Sequence, residues 1–130
     1  MPIGNFKSLS RKGLAEEANP KPTRYYSGKQ EKQVAKAIGG QQTISSGSTM
    51  FSKGNVTNDL FLFECKTKVK DSDSITVKKD WIIKNKEEAA FMGKEHQAVV
   101  INFGPNQPNY YIIEEYLFTQ LLEFLRDEKN

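Results

Sequence analysis

The sequence predicts an α/β domain, a mixed sheet with helices packed on it. Three observations lead there. Val34, Ala35 and Ile38 fall on one helical stripe ahead of a Gly39-Gly40 stop. Asp59-Leu60-Phe61-Leu62-Phe63-Glu64-Cys65-Lys66-Thr67 is an apolar run bounded by polar residues, which reads as a buried strand. Leu117, Leu121, Phe124 and Leu125 mark a closing amphipathic helix.

Residues 1–26 are basic, contain Pro2, Pro20 and Pro22, and show little apolar periodicity, so they read as an arm, with 27–130 as one domain. Ser27 is a plausible N-cap for a helix over Gly28–Ile38. On that helix Glu31 lies three and four residues before Val34 and Ala35, which puts it on the apolar stripe, while Lys29, Lys32 and Lys36 face outward. A first-turn acid favouring the helix dipole is the structural alternative for Glu31.

Residues 41–58 are polar and rich in Ser, Thr and Gly. Ser45-Ser46-Gly47-Ser48 reads either as a plain loop or as a set of hydroxyl and N–H donors for a phosphate. Lys53-Gly54-Asn55 signals a tight turn into the apolar strand. Beyond it lie a polar turn at 71–74, a short strand Ile75-Thr76-Val77, and a helix Trp81–Met92 capped by Asp80 and ended by Gly93. Trp81, Asn85, Ala89 and Met92 share one face of that helix. Strands Ala98–Phe103 and Tyr110–Ile113 follow around a Gly-Pro-Asn-rich turn, then a helix Tyr116–Arg126 that buries its four apolar residues. The order is helix, strand pair, strand, helix, strand, strand, helix.

The 130 residues suffice for one self-supporting core, and 37% apolar with 27% charged side chains is a globular composition. One Cys and one His exclude an internal disulfide and Cys/His zinc clusters. No apolar stretch approaches a membrane span, the N-terminus has no signal-peptide core, and there is no G-x-x-x-x-G-K-[ST] loop. A cytoplasmic protein without a membrane or a nucleotide cofactor is expected. The net charge of +3 is uneven: residues 1–36 hold eight basic and three acidic side chains, residues 95–130 two basic and six acidic. A basic arm before a near-neutral body suits a polyanion such as nucleic acid.

On a strand Glu64 and Lys66 project from the same face. A carboxylate there can hold a hard divalent metal while the ammonium stabilises an attacking hydroxide or charge on a phosphorane. A structural ion pair is the alternative. Cys65 points to the opposite side as a core thiol. His96 reads as a surface histidine, Trp81 as core, and Lys78 and Lys79 as a solvated pair or a phosphate contact. Tyr25 and Tyr26, beside Arg24, could stack on unpaired bases or pack the arm on the body.

In this order, Glu31 in Gly28-Lys29-Gln30-Glu31, Ser46-Gly47-Ser48, Lys53-Gly54-Asn55-Val56 and Glu64-Cys65-Lys66 resemble the PD-(D/E)XK nucleases. Within them, the chain resembles the small, phage-type Holliday-junction-resolvase-like members over residues 27–103. The resemblance implies a restriction-endonuclease-like fold, α-β-β-β-α-β-β-α, with a central mixed sheet flanked by helices. It implies a Mg²⁺- or Mn²⁺-dependent DNA endonuclease acting on branched DNA in recombination, replication or repair. Glu64, the Cys65 backbone carbonyl and Glu31 would bind the metal, and Lys66 would serve the attacking water. Ser46, Ser48, Lys53, Lys29, Lys78, Lys79 and Arg24 would meet DNA. A homodimer is implied, because two opposed strands need two sites about a twofold axis, and a phage-encoded member would work in the host cytoplasm. Flap, end or duplex nucleases of this fold, or a non-catalytic DNA-binding module, are the alternatives.

One departure bears on the site. The family has an Asp before Glu-x-Lys, and Lys-Gly-Asp is common where this chain reads Lys53-Gly54-Asn55. Asn55 would offer an amide oxygen but no charge. Asp59 is the favoured carboxylate, provided that a turn or bulge at Asn58-Asp59 re-aims it.

Overall fold

The computed structural model describes residues 23–43 and 55–129. Helix α1 (Thr23–Ile38) leads into β1 (Gln41–Gln42), β2 (Asn55–Thr57) and β3 (Phe61–Thr67). Helix α2 (Lys79–Phe91), β4 (His96–Asn102), β5 (Asn109–Ile112) and α3 (Glu115–Lys129) complete the chain. The five strands form one mixed sheet in the order β1-β2-β3-β4-β5. Only β3 and β4 run parallel, with α2 as the crossover between them. The α/β expectation is met at this level.

Strand alternation sorts the sheet into two faces. Val34 of α1 packs in a buried cluster with Val56, Phe63, Cys65, Ala98 and Val100. The alternate residues Leu62, Glu64 and Lys66 therefore project toward α2. There Asn85, 1% exposed, donates to the carbonyls of Leu62 (3.3 Å) and Ala98 (3.1 Å) and to the side chain of Gln97 (2.8 Å). Every residue of β4 but His96 is buried, as befits a strand covered by a helix on each face.

Several expectations are corrected. Helix α1 starts at Thr23, directly after Pro22, so Ser27 is an interior residue and not its cap, and Arg24, Tyr25 and Tyr26 belong to its first turns. Gly28 costs such a helix only about 1 kcal/mol, which packing against β3 overrides. The helix ends as expected, with Gly39 in the left-handed region at φ 63°. Asn55 is not in a turn but opens β2. Residues Ile75-Thr76-Val77 pair with no strand, because β2 and β4 already occupy both edges of β3. Asp80 lies inside α2 as a first-turn acid bridged to Lys84 (3.4 Å), with Lys78 at the cap position. On α3 only Leu117 is buried; Leu121, Phe124, Leu125 and also Phe118 are between 47% and 60% exposed. Among the described residues no helix is long and apolar enough to cross a membrane.

Candidate functional site

Lys66 and Glu64 meet on the α2 face of β3, with Lys66 Nζ 3.2 Å from a Glu64 carboxylate oxygen. Glu64 is 8% exposed, held down by the strands on either side. The Lys66 ammonium also lies 4.9 Å from the centre of the Trp81 ring, a cation–π contact. Trp81 is thus a half-buried wall of the site rather than the core residue its sequence position suggests.

Register settles which residue faces Glu64. Asn55 of β2 is its direct antiparallel partner, and directly opposed residues on such strands share a face. Asn55 is fully buried and donates from Nδ2 to Glu88 Oε1 of α2 at 2.9 Å. The preference for Asp59 is overturned. Asp59 is exposed in the bend between β2 and β3, at the Phe61 end of β3, where it shares a surface hollow with Thr57 and Lys94. Several residues of strand, each rising about 3.3 Å, part it from Glu64. The bend is fixed by Asn58, whose side-chain oxygen accepts from the N–H groups of Leu60 (3.0 Å) and Phe61 (2.8 Å), so no bulge turns Asp59 back.

Glu31 comes from the other side of the sheet. Its place on the buried stripe of α1 is as expected: it is 4% exposed, and Gln42 of β1 donates to its Oε1 at 3.0 Å. Its Oε2 is buried with no hydrogen-bond partner. Glu31 and Lys66 line a common cleft of about 370 Å³, together with Arg24, Ser27, Lys68 and Trp81. The Cys65 thiol, between the two, is pushed well above its ordinary range, first by burial and then by the charges of Glu31 and Glu64. It is a buried core thiol and no nucleophile, as expected.

The structure thus gathers Glu31, Asn55, Glu64 and Lys66 at one end of β3, with Arg24 on the rim. Ser46, Ser48 and Lys53 lie outside the described residues. Lys29 is exposed on α1 and borders a separate small hollow beside Gln30 and Asn102. Lys78 and Lys79 are exposed at the start of α2 and line none of the cleft. His96 is half-buried, not a surface residue: its ring bonds the Tyr116 hydroxyl (2.9 Å) and packs on Phe61. Tyr25 and Tyr26 meet edge to face at 5.1 Å.

Four contributors escaped the sequence. Glu88 follows Asn85 by one helical step on the inner margin of α2, and that spacing could have marked it. Gln42 and Lys68 carry no local signal. Gln30 is 3% exposed beside Glu31, and its amide donates to the Lys66 carbonyl at 3.0 Å. Among the described residues, no three His, Cys, Asp or Glu side chains form a ready metal-binding group. Compared with known protein families, characterised proteins and solved structures, the chain matches none.

Proposed function

We propose that this chain is a metal-dependent DNA endonuclease of restriction-endonuclease-like fold, with branched DNA as its substrate. The observation that carries the reading is a buried acceptor without a donor. Glu31 is 4% exposed, its Oε2 has no hydrogen-bond partner, and it lines the same cleft as Lys66. A buried carboxylate oxygen left unsatisfied is costly. A hard divalent cation relieves that cost, since Mg²⁺ and Mn²⁺ favour carboxylate and carbonyl oxygens.

Glu64 and Glu31, the Cys65 carbonyl and the Asn55 amide are the donors suited to hold Mg²⁺ or Mn²⁺. The ion would polarise the phosphoryl group and offset its charge. The chain's own part is positional and electrostatic. Lys66, held between Glu64 and Trp81, directs a positive charge into the cleft where a scissile phosphate would lie. Arg24 and Lys68 on the rim suit the neighbouring phosphates. Branched DNA and a homodimer remain tied to the family resemblance; the exposed apolar side of α3 supports the dimer. Work in a cytoplasm, the host's if the gene is a phage's, belongs to the same reading.

The test is cleavage of a labelled four-way junction against linear duplex of the same sequence, with Mg²⁺, Mn²⁺ or EDTA. Metal-dependent cutting that favours the junction, and falls by about 10²–10³ or more in Glu64→Ala, is the expected result. Equal cutting of both DNAs discards the junction preference. A second reading, a DNA-binding module without catalysis, draws on Asn55 at the central position. Binding without cutting in every metal establishes that one.

A further inference from the structure

We propose that Trp81 is a positioning residue for Lys66, its ring holding the ammonium in the cleft where the scissile phosphate lies during cleavage. The inference rests on the nuclease reading above and gives a role to a residue outside the strand motif. Lys66 Nζ sits 3.2 Å from a Glu64 carboxylate oxygen on one side and 4.9 Å from the centre of the Trp81 ring on the other, over the ring face. Trp81 lines the same cleft as Lys66, Glu31 and Arg24.

The ion pair alone is a poor anchor. The Lys66 side chain is 34% exposed, and a pair this open to water is screened and gains little. Lysine is also a flexible four-carbon stem with a point charge at its end, so it has much rotamer freedom to lose. An indole face is the best aromatic partner for such a charge. It holds the charge without a directional hydrogen bond, which leaves ammonium N–H groups for a phosphate oxygen.

The ring is itself held in place. Trp81 stands in the first turn of α2, where its N–H donates to the Lys78 carbonyl at 3.0 Å. Asn85 follows it by one helical step on the same side of the helix. Through Asn85, α2 is bonded to the Leu62 and Ala98 carbonyls and to the Gln97 side chain. The helix therefore cannot slide along the sheet without breaking buried bonds, and the Trp81 side chain has only two torsions of its own.

Two other accounts compete. If Trp81 only packs, its loss lowers stability and leaves the chemistry of the folded protein alone. If it stacks on DNA by itself, its loss raises KM. A positioning role appears in kcat. The experiment has two readouts on the full chain, with circular dichroism as a check on folding. The first is NMR of the Lys66 ε-methylene group, assigned by its disappearance in Lys66→Met. Ring currents are expected to shift it upfield in wild type and in Trp81→Phe, and the shift is expected to vanish in Trp81→Leu. The second is cleavage of the four-way junction in Mg²⁺. Trp81→Leu is expected to lower kcat about three- to thirtyfold with KM unchanged, and Trp81→Phe to recover most of that loss.

The chain has one Trp, so Lys66→Met is also expected to change the fluorescence of Trp81, and this measurement serves if Trp81→Leu does not fold. Unchanged fluorescence, an unshifted Lys66 in wild type, an unchanged kcat in Trp81→Leu, or a loss confined to KM overturns this inference. If the wild type still cuts DNA, the nuclease reading stands in each of those cases. A wild type that cuts no DNA in any metal overturns both.

Discussion

The side-chain amide of Gln30 donates to the backbone carbonyl of Lys66 at 3.0 Å, across the sheet from the face that carries the Lys66 side chain. The same nitrogen lies 3.3 Å from the Val100 carbonyl and 3.2 Å from Asn109 Oδ1. One α1 residue thus ties together β3, β4 and β5 just where the candidate site begins. Gln30→Leu keeps the bulk and strands buried acceptors, which cost about 1–3 kcal/mol each. Urea unfolding should show a loss in that range, and any cleavage activity should fall with it because Lys66 loses its backbone anchor.

Asn85 does the same for the opposite face. Its amide serves the backbone of two strands and the Gln97 side chain from within α2. Asn85→Leu should cost about 2–3 kcal/mol in chemical denaturation and should loosen α2, read as faster amide hydrogen exchange over residues 79–91. An unchanged midpoint would mean that water replaces the lost donor.

Cys65 gives a pH signature. Its ordinary pKa is 9.0, and in the fold it is raised by burial and by Glu31 and Glu64. The folded protein then keeps its thiol proton while the unfolded chain gives it up. Stability is accordingly full below the unfolded value and falls as pH rises above it, by up to about 1.4 kcal/mol per pH unit. Cys65→Ala should flatten the alkaline limb of a stability–pH curve, and thiol reagents should label the native protein only as fast as it opens.

The apolar side of α3 yields a fourth expectation. Phe118, Leu121 and Leu125 recur at three- and four-residue spacing and stay about half exposed, a stripe of the kind that pairs helices. In light scattering the wild type should run as a dimer, and Leu121→Glu/Leu125→Glu as a monomer with the same thermal midpoint. A monomeric wild type would remove the dimer from the proposed function.

How far the sequence reached depended on whether a feature is local. The helix stop at Gly39, the inward Glu31 and the buried Glu64 strand follow from periodicity and turn chemistry, which act within a few residues. The place of Asn55 is a matter of register between β2 and β3, and no window on the chain contains both partners. A reading of the sequence alone therefore favours Asp59, which carries the charge that Asn55 lacks. The triplet Ile75-Thr76-Val77 has strand composition, but both sides of the preceding strand β3 are taken by β2 and β4, so tertiary context overrode propensity. Helix α3 shows the reverse failure: an amphipathic pattern says that an apolar face wants cover, not that the same domain supplies it.

The sheet's strand order has a consequence for timing. Strands lie side by side in the order in which they are made, and the three antiparallel pairings join consecutive strands. Residues 31–65 include every group proposed to touch the metal, yet β3, which carries Glu64 and Lys66, is paired along its whole length with β4, residues 96–102. A chain leaving the ribosome therefore owns its full set of reactive groups before it owns the scaffold that aligns them. The proposed chemistry would stay latent in the nascent chain and switch on when β4 zips into place.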